Sequence, residues 1–308
     1  MSALRVRRNA ARISAALRAT RLSQALEQHV LASPSLRILG LDVNTNSTGY
    51  TVLRADGRVV SWGHIATTQY KSADVLDIAH AIKCALDDVQ RDEESAAASR
   101  VTWRVGIEDF MRMYSFGKYH NKGIFQLAQL NGVVSYTCWQ QFGCRPLHTH
   151  PTAARSLLGV SATGKASAGK VKDQVMAMVL RREGDGAALW PTFTCHRRNG
   201  HFCDAAFDIA DSFVVADHMR WMHWQRLLQS DDDLADEFAA AYLSLLRGTE
   251  SAEPSGSAEK RKTKPKVSAE QKALDAVDRQ TQRLHLRQLY EGGVADWVAA
   301  QAKYWSER

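Results

Sequence analysis

Apolar residues dominate the stretch from residue 37 to residue 65, and two short polar turns interrupt them. The first apolar run carries a single acid, Asp42, and ends in a turn rich in Asn, Ser, Thr and Gly. A second turn, at residues 54–57, precedes the run at residues 59–65. Short apolar runs separated by polar turns are typical of antiparallel strands. The pattern predicts a three-stranded meander whose first strand carries a carboxylate.

Apolar residues between positions 75 and 89 recur at helical spacing. The run from Val101 to Glu108 predicts another strand, which also ends in a carboxylate. The remaining expected elements of this region are a helix over 124–138, a short strand over 145–150, a helix beginning at Pro151, a helix carrying residues 172–179 and a helix over 204–218.

The last of these helices carries three acids on one face, Asp204, Asp208 and Asp211. Like charges on one helix face are destabilising unless a cation lies among them. The neighbouring residues are Ala, Phe, Ile and Val, which favours a largely buried face over a solvated acidic one.

The net charge of +7 is unevenly distributed. Residues 1–37 sum to +6, residues 38–103 to −3, residues 104–182 to +8 and residues 183–308 to −4. Without its basic N-terminal segment the chain is nearly neutral, with one basic middle segment. A localised basic region of this kind is the electrostatic footprint that a phosphate backbone requires.

The N-terminal segment, residues 1–35, is rich in Arg, Ala, Ser and Leu and holds one acid, Glu27. This composition is typical of a mitochondrial transit peptide, so we expect a mitochondrial matrix protein. A basic arm that stays on the protein and contacts nucleic acid is the alternative. The five cysteines are too irregularly spaced for a disulfide framework, which fits a reducing compartment. No apolar run is long enough to predict a membrane span.

Residues 109–122 mix aromatic side chains with cations and small residues. Aromatic rings can stack on unpaired bases while cations contact phosphates, so this segment is a candidate nucleic-acid interface. An ordinary loop whose aromatics pack on the core is the alternative. A second basic segment, residues 159–170, departs from the phosphate-loop motif at Ala166, which argues against nucleotide hydrolysis. The candidate nucleic-acid-binding residues are Arg112, Tyr114, Phe116, Lys118, Tyr119, Lys122, Lys165 and Lys170.

The chain divides by composition into a leader, a main domain over 36–228, and accessory segments. An accessory helix is expected over 229–248, a flexible linker over 249–268 and a helical tail over 269–308. The tail carries Leu274, Val277, Leu284 and Leu289 roughly on one stripe.

Four carboxylates from two strands and a helix fit one chemistry. Asp42, Glu108, Asp208 and Asp211 together can hold two Mg²⁺ ions, or Mn²⁺ in their place, because these cations prefer oxygen ligands. Paired ions of this kind stabilise the attacking and leaving oxygens in phosphodiester cleavage. No cysteine or histidine is required.

The sequence resembles the RuvC-type Holliday-junction resolvases of the RNase H-like superfamily. The resemblance covers residues 37–224 and rests on motifs in the same order along the chain. These motifs are Gly40-Leu41-Asp42, Thr48-Gly49-Tyr50, Gly106-Ile107-Glu108, Lys172-Asp173-Gln174-Val175 and Asp208-Ile209-Ala210-Asp211. It implies an α/β, RNase H-like fold with a mixed five-stranded sheet flanked by helices. It further implies a homodimer that cuts a four-way DNA junction symmetrically.

By position, the resemblance assigns metal binding to Asp42, Glu108, Asp208 and Asp211. It assigns to Lys172 the role of the basic residue that assists the scissile phosphate. Asp204, about one turn earlier, is a possible substitute ligand. The leader would make this protein a mitochondrial form.

Two alternatives remain open at this point. One is an RNase H-like nuclease that acts on ribosomal RNA. The other is a resolvase-like body without catalysis, serving as a scaffold in a mitochondrial ribonucleoprotein such as an assembling ribosome. Fold resemblance alone does not decide among these functions.

Overall fold

The computed structural model describes residues 3–70, 74–109, 121–160, 168–182, 202–250 and 269–307. Its strands are β1 (Leu36–Val43), β2 (Ser47–Arg54), β3 (Val59–Ala66), β4 (Thr102–Glu108) and β5 (Leu147–Thr149). Its helices are α1 (Ala3–Ala19), α2 (Leu22–Leu31), α3 (Val75–Ala96), α4 (Asn121–Phe142), α5 (Pro151–Leu157), α6 (Ala168–Arg182), α7 (Asp204–Ser230), α8 (Asp232–Glu250) and α9 (Ala269–Glu307).

The described strands form one mixed sheet in the order β3-β2-β1-β4-β5. Strands β1, β2 and β3 pair in antiparallel fashion, as the meander prediction requires, whereas β4 is parallel to both β1 and β5. The predicted five-stranded mixed sheet flanked by helices, with a C-terminal helical extension, is therefore confirmed. This architecture is consistent with an RNase H-like fold.

One face of the sheet is covered by α3 and α4. Alternate residues of β1 and β4, such as Leu39, Leu41 and Ile107, point to this face because side chains alternate along a strand. They pack with apolar residues of the two helices into one buried cluster. The helix residues in this cluster include Ile78, Ala79, Ile82, Leu86, Leu130, Val134 and Cys138.

Three strand glycines lie on the opposite face of the sheet, where α7 crosses it. A Cβ atom on Gly40 of β1 would lie 2.3 Å from the backbone of Ser212, and one on Gly49 of β2 would lie 2.0 Å from the Asp208 carbonyl oxygen. A Cβ atom on Gly106 of β4 would lie 3.1 Å from Met219 Cβ on α7. These glycines let the helix backbone approach the strands directly.

The chain divides into two compact units, residues 29–223 with 299–308 and residues 1–28 with 224–298. The second unit is helical, and Phe238 of α8 packs against Tyr242 and against Tyr290 of α9. In α9, Leu284 is 61% exposed, whereas Leu286 and Tyr290 are buried. No helix in the described ranges is both long and apolar enough to cross a membrane.

Candidate active site

Asp42 and Glu108 lie side by side at one end of the sheet. The parallel register of β1 and β4 pairs Leu41 with Ile107, so the residue that follows each one ends up at the same edge. Both carboxylates share a face with Gly40 and Gly106, two positions earlier, and this is the face that α7 crosses. The strand-end acids are therefore directed toward α7.

Helix α7 brings two more carboxylates to this edge, and three other elements supply partners for them. Ser47 of β2 donates a hydrogen bond to Asp208, and the His64 ring of β3 lies 3.8 Å from the same carboxylate. Arg155 of α5 forms an ion pair with Asp211 through Nη2 at 2.9 Å. Both acids are nearly buried. The spacing of three residues puts them on successive turns of one helix face.

The carboxyl groups at this edge repel one another. Burial raises the pKa of Asp42 well above its ordinary value, and the neighbouring carboxylates raise it further. Burial and repulsion from Asp211 raise the pKa of Glu108 to about 7. Burial also raises the pKa of Asp208, although the hydrogen bond from Ser47 lowers it. A cluster of this kind is stabilised by any cation that reaches it.

Lys172 of α6 is one such cation. Its side chain is exposed, and its ammonium lies 5.6 Å from the centre of the Phe207 ring on α7. The positive charge opposes the rise in pKa of Asp42, Glu108 and Asp208. Lys172 is therefore close enough to the carboxylates to influence their ionisation.

The donor chemistry of this site fits a divalent metal of the hard, oxygen-binding class, since four carboxylates meet there. The side chains are not gathered around a common point, however. Among the residues that the structure describes, no three His, Cys, Asp or Glu side chains lie close enough together to hold an ion. Metal binding would therefore require the carboxylates to turn inward, with Asp211 shifting from Arg155.

Asp204, the possible substitute ligand, lies at the first position of α7 and is exposed, unlike the two buried acids that follow. Six of the eight predicted nucleic-acid contacts fall outside the described part of the chain, and the other two have no described side chain. Those without a described position are Arg112, Tyr114, Phe116, Lys118, Tyr119 and Lys165, while Lys122 and Lys170 lie in helices without described side chains.

Sequence reasoning missed four polar neighbours of the carboxylates. Asn44 donates a 3.3 Å hydrogen bond to Asp42, and together with Ser47 it belongs to the polar turn that the sequence singled out only for its shape. The other two, His64 and Arg155, come from separate elements. No spacing rule connects them to the acids, because only the tertiary fold brings them together.

The sequence matches no protein-family model and no curated protein. Among solved structures, the chain is similar to Thermus thermophilus RuvC in complex with a Holliday junction substrate, at 13% identity and a TM-score of 0.37 over 62% of this chain and 96% of that chain. It is also similar to the yeast mitochondrial Holliday junction resolvase Ydc2, at 14% identity and a TM-score of 0.42 over 73% of this chain and 98% of that one.

Proposed function

We propose that this protein is a metal-dependent endonuclease that cleaves four-way DNA junctions. The observation that carries the proposal is that Asp42, Glu108, Asp208 and Asp211 lie at one edge of the sheet beside a lysine, where burial and repulsion from the neighbouring carboxylates raise the pKa of Asp42 and Glu108. Acids so arranged in a fold are energetically unfavourable unless a cation serves them, and such sites are more often functional than structural.

In this proposal the four carboxylates would hold Mg²⁺, or Mn²⁺ in its place, and the ion would supply charge stabilisation during hydrolysis of a phosphodiester. Lys172 contacts a non-bridging oxygen of the scissile phosphate and offsets the charge that develops there. Water adds to phosphorus and one phosphorus–oxygen bond of the backbone breaks. Burial of Asp42 and Asp208 keeps bulk water away from the ligands.

A homodimer would provide two such sites for paired cuts. On α4, Phe125, Tyr136 and Trp139 are 60%, 61% and 42% exposed, and their spacing puts them on one helix face with Gly132. A Cβ atom on Gly132 would meet nothing within 4 Å. Exposed aromatics around a bare backbone position favour close packing of a second helix, and we assign this face to a second copy of the chain.

The basic N-terminal segment supports a mitochondrial location, where the substrate would be a branched intermediate of organellar DNA. The basic segment at residues 104–182 supports contact with a phosphate backbone. Residues 109–122 and 159–170 are the proposed contacts with that backbone.

One observation favours a second candidate, a scaffold without catalysis in a mitochondrial ribonucleoprotein. Asp211 is already paired with Arg155, and Asp208 already accepts a hydrogen bond from Ser47. Carboxylates satisfied in this way can stabilise the fold with no metal. An RNase H-like nuclease acting on ribosomal RNA shares the carboxylate chemistry and differs only in substrate.

The deciding experiment is cleavage of a synthetic four-way DNA junction by the full chain with Mg²⁺. Asp208→Asn removes one charge from the cluster, and Asp236→Asn makes the same change at an exposed position on α8. We expect paired nicks from the wild type and from Asp236→Asn and none from Asp208→Asn. Matched duplex DNA and structured RNA test the substrate. Preferential RNA cleavage would favour the ribosomal-RNA nuclease, and tight binding without any cleavage would favour the scaffold.

A further inference from the structure

Helix α1 packs against α8 in the helical unit of the protein. Its apolar side faces inward, with Ala16 and Leu17 buried, while Arg18 and Ala19 are exposed. Near its start, Asn9 accepts a hydrogen bond from the hydroxyl group of Tyr242 on α8. The apolar face that would make this segment an amphipathic leader is therefore already occupied within the fold.

The connection to α2 makes further contacts in the same unit. Leu22 is 1% exposed, and the Thr20 hydroxyl donates a 2.9 Å hydrogen bond to the Ala16 carbonyl oxygen at the end of α1. Arg21 forms an ion pair with Glu237 of α8, with Nε 2.8 Å from the carboxylate. This ion pair is exposed and contributes little by itself, but it fixes the same packing as the buried residues.

Helix α9 also carries a glycine that lies against α1. Gly292 and Gly293 lie inside this helix, where glycine is about 1 kcal/mol less favourable than alanine. A Cβ atom on Gly293 would lie 2.8 Å from Leu17 Cδ1 and 3.3 Å from Ile13 Cγ2. One on Gly292 would meet nothing within 4 Å. The absent side chain at Gly293 makes room for α1.

We propose that the chain from Asn9 onward stays in the mature protein as a permanent part of this helical unit, and that any processing of the N terminus removes only residues before Asn9. The predicted leader would then direct the protein to mitochondria without the removal of α1. Removal of α1 would expose the apolar surface around Gly293 and leave the Tyr242 hydroxyl without the partner it has here. The proposal does not depend on the nuclease function.

The packing is tested in the full chain by a double-mutant cycle. Gly292→Ala is the matched control, since it adds the same methyl group one position away in open space. We expect Gly293→Ala to unfold about 2–4 °C below Gly292→Ala, because the new methyl group presses on Leu17. In a Leu17→Ala background that gap should close, since the leucine side chain is gone. A gap that Leu17→Ala leaves unchanged would overturn the packing argument.

The retention itself is tested by reading the N terminus of the protein purified from cells. Digestion with an enzyme that leaves long N-terminal peptides, followed by mass spectrometry, gives the first residue directly. A first residue at or before Asn9 agrees with the proposal. A mature protein that begins anywhere after Asn9 overturns it. Because the readout is the peptide and not cleavage of DNA, this result stands apart from the outcome of the junction assay.

Discussion

Gly49 lies directly beneath the backbone of Asp208, so that a Cβ atom on the glycine would be 2.0 Å from the Asp208 carbonyl oxygen. The same glycine pairs with Asp42 across the β1–β2 ladder. Gly49, which has no side chain, thus sets how closely Asp208 approaches Asp42. The Thr-Gly-Tyr motif after the first turn owes its glycine to this contact.

Gly49→Ala should therefore damage both the fold and the site. The new methyl group meets backbone atoms, which move only if α7 moves as a whole. We expect a loss of about 3 kcal/mol or more in the free energy of unfolding and at least a tenfold loss of junction cleavage. Denaturant unfolding and the junction assay measure the two effects.

Gly123→Ala is the matched control for this change. A Cβ atom at Gly123 meets nothing within 4 Å, and the residue lies in α4, where alanine is the better helix former. Its stability should equal or slightly exceed that of the wild type. If Gly49→Ala is as stable as Gly123→Ala, then α7 does not approach β2 in the way described.

Glu108→Gln should change how stability depends on pH in the metal-free protein. The folded pKa of Glu108 is about 7, above its ordinary value of 4.5, so the protonated acid contributes stability below about pH 4.5 that is lost as the pH rises through 7. Glutamine carries no charge at any pH. We expect the variant to match the wild type at pH 5 and to exceed it by about 1–3 kcal/mol at pH 8.

Addition of Mg²⁺ at pH 8 should reduce that difference, because the ion neutralises the ionised acid in the wild type. Urea unfolding at the two pH values, with and without Mg²⁺, gives the comparison. A difference that is the same at pH 5 and pH 8 would mean that burial and the neighbouring carboxylates do not raise the pKa of Glu108.

Arg155→Met tests the cation that now neutralises Asp211. The side chains of this ion pair are 21% and 9% exposed, and removal of one partner leaves a nearly buried carboxylate without its charge partner. We expect a loss of about 1–3 kcal/mol in the absence of metal. Mg²⁺ should then raise the melting temperature of the variant more than that of the wild type. An equal effect of Mg²⁺ on both proteins would count against metal binding at Asp211.

The sequence was a good guide wherever local spacing determines structure. An acid inside an apolar run placed Asp42 on a strand, and a spacing of three residues placed Asp208 and Asp211 on one helix face. Both features depend on residues close together in the chain. The mixed sheet was anticipated only through the family resemblance.

Contacts between distant elements were not predictable in this way. Arg155 is separated from Asp211 by 56 residues, and its role as a partner depends on where α5 ends in the fold. The buried face of α9 was not predictable from spacing either. Tyr290 and Val294 are buried and Leu284 is exposed, because the apolar partners of the helix decide which face is covered.

Asp217→Asn should be the most destabilising of these conservative changes. Asp217 is fully buried in α7 and binds Arg182 and Arg220, with 2.7 Å between its carboxylate and Arg220 Nε. Loss of the negative charge leaves two buried guanidinium groups facing each other, so we expect a loss of about 3–5 kcal/mol. Asp88→Asn, at an exposed aspartate 2.9 Å from Arg91, is the control and should change stability by less than about 1 kcal/mol.

The stability that Asp217 contributes depends on pH. Burial alone would raise the pKa of Asp217, but attraction to Arg182 and Arg220 outweighs it and lowers the pKa to about 2. The ionised carboxylate therefore contributes stability that is complete above its unfolded pKa of about 4 and is lost as the pH falls toward 2. The stability gap between wild type and Asp217→Asn should narrow over that range in denaturant titrations. A gap that stays constant from pH 5 to pH 2.5 would show that Asp217 stabilises α7 by packing and not by its charge.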